Sequence, residues 1–165
     1  MVTLLIIITL SLILLLAAFW NRPYIQHSRL PARLESSREV ARIALAAADR
    51  IQFSEDEVFQ CRLALDEACT NIVEHAYKSD EDGEFEIFVL ACDGELQLHL
   101  TDYGEPYIPT DTMYPPAANS LEDISPGGLG LYFMRRVMDK VEYTPGPDGN
   151  RLILIKRRRA IEIVR

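Results

Sequence analysis

The amino-acid sequence predicts an α/β domain of ordinary size, and three features carry that expectation. An Ala-rich segment from Ser36 to Arg50 repeats its apolar residues at helical spacing. A second helix opens at Ser54 with Glu57 three residues on, the pattern in which each side chain satisfies a free backbone donor of the other residue. Phe85 to Cys92 and the alternating Leu96, Leu98 and Leu100 read as strands, and the Asp93-Gly94 pair between them tolerates the positive φ angles of a two-residue hairpin.

The chain begins with a different material. Leu4 to Trp20 is uncharged and apolar except for Thr9 and Ser11, and as a helix it reaches roughly 26 Å, barely the thickness of a hydrocarbon core. Trp20 and Tyr24 would suit a membrane interface, and Arg22, Arg29 and Arg33 follow the run with no basic residue before it. By the positive-inside rule, an anchor through residues 4–20 would hold the domain in the cytoplasm, at the inner face of the membrane. The other reading is a mis-assigned start, with residues 1–22 foreign to the domain. A cleaved signal peptide fits less well, because there is no basic leader.

From residue 23 the elements follow in order. Tyr24 to Leu30 reads as a first strand, and the first domain helix buries Val40, Ile43, Ala44 and Ala47. The second buries a stripe of Val58, Cys61, Leu65, Ala68, Ile72 and Ala76. After Asp82-Gly83 come the two hairpin strands. Pro106, Pro109, Pro115, Pro116 and Pro126 then prevent any long element between Tyr103 and Pro126, and an irregular stretch of that length is uncommon in a compact domain unless it is functional. Leu129 to Asp139 predicts a third helix. Val141 to Thr144 and Arg151 to Lys156 close a hairpin around Pro145-Gly146-Pro147-Asp148-Gly149. The domain therefore spans 23–159, and 160–165 is a tail.

Composition narrows the function. The 165 residues are 48% hydrophobic and 25% charged, and the net charge of -8 argues against a nucleic-acid groove. The run Lys156-Arg157-Arg158-Arg159 reads as a solvated terminus or a partner contact. Cys61, Cys69 and Cys92 are odd in number and lack metal-type spacing, so they read as small buried hydrophobes.

Three short segments carry chemistry. Glu67 and Asn71 are four apart and share a helix face; the carboxylate suits a general base, and the amide oxygen is a hard ligand for Mg²⁺. Alone, the pair reads as the edge of a solvated face. His75 continues that face but suits the free carbonyls of a helix end, and it is left out. Asp102 at a strand end can accept a hydrogen bond from an exocyclic amine, and Gly104 lets the backbone approach a flat base; alone, Asp102 is a turn former. Gly127, Gly128 and Gly130 precede a helix whose amides and dipole can hold phosphate, or they form a hinge. In this order, the three segments make an ATP site the leading reading.

The segments Leu63 to Tyr77, Asp102-Tyr103-Gly104-Glu105-Pro106, Gly127-Gly128-Leu129-Gly130-Leu131 and Gly149-Asn150-Arg151-Leu152 resemble the nucleotide-binding boxes of the GHKL superfamily of ATPases, which includes gyrase and the histidine kinases. Within it the chain most resembles the anti-sigma-factor serine/threonine kinases, over Ile25 to Arg159. The resemblance implies a two-layer Bergerat sandwich, with helices packed on one face of a mixed, mostly antiparallel sheet. It implies Glu67 as general base, Asn71 as Mg²⁺ ligand, Asp102 as adenine reader, Gly104 as the close-approach glycine, and Gly127, Gly128 and Gly130 as the phosphate lid. Pro106 replaces a second glycine of the adenine box, as is common in the anti-sigma branch, and Asn150 stands where others have a Thr near adenine. The implied partners are a sigma factor and an anti-anti-sigma antagonist of STAS type, with self-pairing as in many relatives; Arg38 on the first domain helix is a candidate contact or equally an exposed helix charge. Two alternatives stay open: an ATP-dependent binding module without catalysis, and a membrane-attached fragment related to histidine kinases. The second is opposed by the lack of a phosphoacceptor helix pair.

Overall fold

The computed structural model describes residues 2–20, 22–77, 83–106 and 129–159. Its elements are α1 (Val2–Trp20), β1 (Tyr24–Pro31), α2 (Ser36–Arg50), α3 (Glu55–Asn71) continued by a π turn (Ile72–Ala76), β2 (Glu84–Cys92), β3 (Glu95–Asp102), α4 (Leu129–Val137), β4 (Lys140–Thr144) and β5 (Asn150–Arg157). The strands form one sheet in the order β1-β2-β3-β5-β4. Phe85, Ile87, Val89, Ala91, Leu96, Leu98 and Leu100 alternate inward along β2 and β3, and meet Val40, Ile43, Ala44, Ala47, Leu65 and Ala68 of the helices in a single core. This is the period of two in strands and the helical stripe that the sequence predicts, brought together as two layers.

Among the described residues every strand pairing is antiparallel, so the mixed sheet expected from the sequence is corrected. The crossover through α4 does return the chain parallel to β3, in β4. The tight hairpin then folds β5 back into the space between β3 and β4, so no two parallel strands become neighbours. The hairpin between β2 and β3 forms as predicted, with φ of 51° at Asp93 and 76° at Gly94.

The N-terminal run does form a helix, α1, whose leucine and isoleucine side chains from Leu5 to Ile13 stand more than half exposed. Its 19 residues measure about 28 Å. Among the described residues no helix is long and apolar enough to cross a membrane, so the anchor expected at residues 4–20 is not supported.

A second correction concerns the basic run. Lys156 is not solvated: it is 2% exposed, and its Nζ donates to the Val137 carbonyl at 2.6 Å, placing a cation on the negative end of α4. α4 stops at Val137 and not at Asp139, because the Asp139 N–H bonds the Ile155 carbonyl at 2.9 Å and draws the chain into the sheet. Arg157 bonds Glu95 at 2.8 Å, and Arg158 reaches the Ile51 carbonyl at 3.3 Å. The run fastens the end of β5 to the end of α4, to β3 and to the residue that follows α2. Cys61 and Cys69 are buried as expected, and burial pushes both thiols up to about 12.

The predicted capping box forms at Ser54 and gains a third function from the fold. The Glu57 carboxylate, 4% exposed, accepts N–H bonds from Ser54 at 2.7 Å and from Arg159 at 2.6 Å. Burial alone would raise its pKa, but these donors together outweigh burial and hold it below the usual carboxylate range. Stability from this group is therefore complete above the unfolded carboxylate pKa and is lost as pH falls through the lower folded value. Glu57→Ala strands two backbone donors and is expected to cost about 2–4 kcal/mol, read as a lower urea midpoint at neutral pH, with the gap from wild type closing in acid.

Candidate functional site

The site grows from the end of α3. Cys61, Ala64, Leu65, Ala68 and Cys69 bury one stripe of that helix, which leaves Glu67 and Asn71 half-buried along its border. Beyond Asn71 the helix widens, and the Tyr77 N–H bonds the Ile72 carbonyl five residues back at 3.2 Å. Such single π turns occur often at functional sites. Here the widening has a visible use: the Ala76 carbonyl accepts the Glu105 N–H at 2.9 Å, docking the segment after β3 onto the helix end. Gly104 sits between, and a Cβ there would stand 2.3 Å from the same carbonyl oxygen, so only glycine fits.

Asp102 ends β3 opposite Asn150 at the start of β5, and both are buried, at 6% and 2% exposure. Asp102 Oδ1 accepts from Asn150 Nδ2 at 2.9 Å and from the Gly104 N–H at 3.1 Å. Asn150 Nδ2 also reaches the Gly104 carbonyl at 3.1 Å. Burial raises the Asp102 pKa, and the two donors only partly oppose it. Among the described residues Asn150 Oδ1 is buried without a hydrogen-bond partner, an acceptor of a kind that native proteins seldom leave unmet.

Asn71 and Asp102 line the same hollow, a cleft of about 540 Å³ with its open mouth included. Its walls are apolar, from Ala68 and Ile72 on the helix side, Leu100 and Leu152 on the sheet, and Leu131 and Met134 on α4. Apolar walls with a polar end suit an apolar ring that bears hydrogen-bond donors. Glu67 does not line this hollow. Its carboxylate lies against Gly130 in the first turn of α4, where a Cβ would stand 1.9 Å from Oε1.

The structure thus brings Asn71 and Asp102 to one cleft, holds Gly104 and Asn150 by hydrogen bonds around Asp102 without lining it, and sets Glu67 and Gly130 side by side. Gly127 and Gly128 lie outside the described residues. Arg38 is exposed on α2 and is not among the residues lining the cleft. Sequence reasoning missed Tyr143, Leu131 and Met134 in the cleft wall, although the apolar stripe of the third helix was a usable signal for the last two. It also missed the π turn, for which no local signal exists.

The residues present fit a nucleotide with its metal. Asp102 offers a buried carboxylate acceptor at the polar end of the cleft and Asn71 an amide on its helix side. Among the described residues no group of three His, Cys, Asp or Glu side chains could hold a metal alone. An Mg²⁺ ion would have Asn71 as its protein ligand and take its other ligands from water and phosphate, a habit that suits this ion.

A model of the histidine kinase-like ATPase domain family matches residues 30–156. The serine-protein kinase RsbW of Bacillus subtilis (strain 168) is 32% identical over 133 residues, covering 73% of this chain and 78% of the relative. The serine/threonine-protein kinase BtrW of Bordetella bronchiseptica is 38% identical over 96 residues, covering 58% of this chain and 68% of the relative. An anti-sigma F factor of Clostridium botulinum is 34% identical over 100 residues, covering 60% and 70% respectively. Among solved structures, the RsbU and RsbW domains of Rv1364c from Mycobacterium tuberculosis superpose with a TM-score of 0.58 at 20% identity, over 81% of this chain and 32% of that one. That likeness supports the fold.

Proposed function

Because this chain belongs to the histidine kinase-like ATPase family, on its anti-sigma serine-kinase branch, we propose that it transfers the γ-phosphoryl group of ATP to a serine or threonine of an antagonist protein and holds a sigma factor on a second surface. The observation that carries this reading is the cleft itself. An amide at the helix flank and a buried carboxylate at the strand end face one slot, and a second carboxylate lies beside the entry of α4.

In this reading Asp102 accepts a hydrogen bond from the exocyclic amine of adenine, with Asn150 beside it, and Gly104 lets the backbone come close to the base. Bound Mg²⁺ supplies neutralising charge on the phosphates, and Asn71 would be the protein group that holds it. Glu67 removes the proton of the acceptor hydroxyl as its oxygen bonds to the γ-phosphorus; the bond from that phosphorus to the β-bridging oxygen breaks, and ADP leaves. The amides of Gly127, Gly128 and Gly130 hold the charge that spreads over the transferred group. Arg38, exposed on α2, is a candidate contact for the sigma factor, and these partners place the activity in the cytoplasm.

The test is transfer of label from ATP to candidate antagonist proteins by the full chain. Wild type is expected to label one serine or threonine. Asn71→Ala is expected to lose about 10–100-fold or more, since even outer-shell partners of a metal cost that much. Undiminished transfer in Asn71→Ala would refute the metal role. Partner binding that needs ATP, with no label transferred by wild type, would identify a binding module instead.

A further inference from the structure

We propose that Tyr77 is the positioning residue for the adenine end of this site: its hydroxyl hangs the loop after β3 at the height where Asp102 and Gly104 can meet a base. The inference rests on the nucleotide reading above and adds to it a residue outside the cleft lining.

Tyr77 follows the π turn directly. Its phenolic oxygen accepts the Tyr103 N–H at 2.9 Å, and its O–H donates to the Glu84 carbonyl. The ring lies over Gly83, where a Cβ would stand 2.5 Å from it, so the phenol has one seat. One hydroxyl therefore ties the start of β2 to the end of β3, two strand ends already in register through the pair Phe85 and Asp102.

The residue before it does the complementary task. The Ala76 carbonyl accepts the Glu105 N–H at 2.9 Å, so residues 103 and 105 both hang from residues 76 and 77, with Gly104 pressed between them. On the far side, Asp102 and Asn150 hold Gly104 by its N–H and its carbonyl. The loop is thus fixed from the helix end and from the sheet. Of these ties, the Tyr77 hydroxyl is the one that a conservative change removes without touching the cleft. Burial pushes the Tyr77 pKa up, which keeps the hydroxyl protonated and able to donate at every pH of interest.

Loss of this hydroxyl alters position more than stability. Tyr103 is 50% exposed and Glu84 is exposed, so water can take both vacated bonds. What water cannot supply is a fixed height for the backbone of Tyr103, one residue from Asp102. Misplacing one polar partner of a bound ring by a fraction of an ångström costs about the net worth of a hydrogen bond, roughly a factor of ten in affinity.

The experiment compares wild-type full chain with Tyr77→Phe and with Tyr103→Phe, which removes only the exposed Tyr103 hydroxyl that bonds Glu86. Calorimetry with ADP is expected to show affinity about tenfold weaker in Tyr77→Phe and unchanged in Tyr103→Phe. In the transfer assay the KM for ATP rises by a similar factor while kcat holds, and the urea midpoint without nucleotide barely moves. Unchanged ADP affinity in Tyr77→Phe overturns the inference. So does a joint fall of affinity, kcat and urea midpoint, which marks a merely structural tyrosine. Wild type that binds no ADP overturns the nucleotide reading, and this inference with it.

Discussion

Glu67→Gln is expected to slow phosphoryl transfer by about 10²–10⁴-fold, the range that a positioned general base contributes. ATP affinity is expected to stay near that of wild type. Glutamine keeps the length and volume of the side chain, so the contact against Gly130 survives and α4 keeps its place on α3. Only the capacity to take a proton is removed. Because Glu67 does not line the cleft that would hold the base, binding and transfer separate cleanly in this variant. Single-turnover labelling measures the transfer and calorimetry the binding. A variant that transfers at the wild-type rate would strip Glu67 of its role; one that fails to bind ATP would show that the carboxylate grips nucleotide instead.

Asp102→Asn is expected to weaken ATP by about 10–100-fold, the worth of a hydrogen bond to a charged acceptor, and to stabilise the chain without ligand. The second effect follows from burial. Asp102 is 6% exposed and its folded pKa is raised above the ordinary 3.8, with burial the largest cause. The folded state therefore prefers the neutral acid. As pH rises from the unfolded value through the raised folded value, the native state loses stability, and at neutral pH the cost is complete. Asparagine removes that cost while its side-chain oxygen still accepts from Asn150 and Gly104. The urea midpoint of the variant should exceed wild type at neutral pH, and the gap should close below about pH 4, where aspartate is protonated in both states. A variant that is less stable at neutral pH, or that binds ATP as well as wild type, contradicts this account. A buried carboxylate that weakens the empty fold is what a site kept for ligand looks like.

The local devices of this fold were legible in the chain. Ser54 with Glu57 marked the start of α3, Asp93-Gly94 marked the hairpin, and the inward leucines of β3 were readable one by one, because each depends on residues a few positions apart. Lys156 was misread for the converse reason. Beside three arginines it looks solvated, yet its ammonium is buried on the Val137 carbonyl at the end of α4, a partner 19 residues away.

The sequence by itself determined the α/β class, the bounds of most elements and the set of polar residues from which a site could be made. These follow from propensity, capping and periodicity, which act over one or two turns. Tertiary structure decided that β5 enters between β3 and β4, bringing Asn150 to Asp102, and that α3 widens after Asn71 so that Ala76 and Tyr77 catch the loop beyond β3. Those contacts join residues 26 to 48 positions apart, and packing alone sets which of them form, because no local rule gives the height at which a helix rests on a sheet.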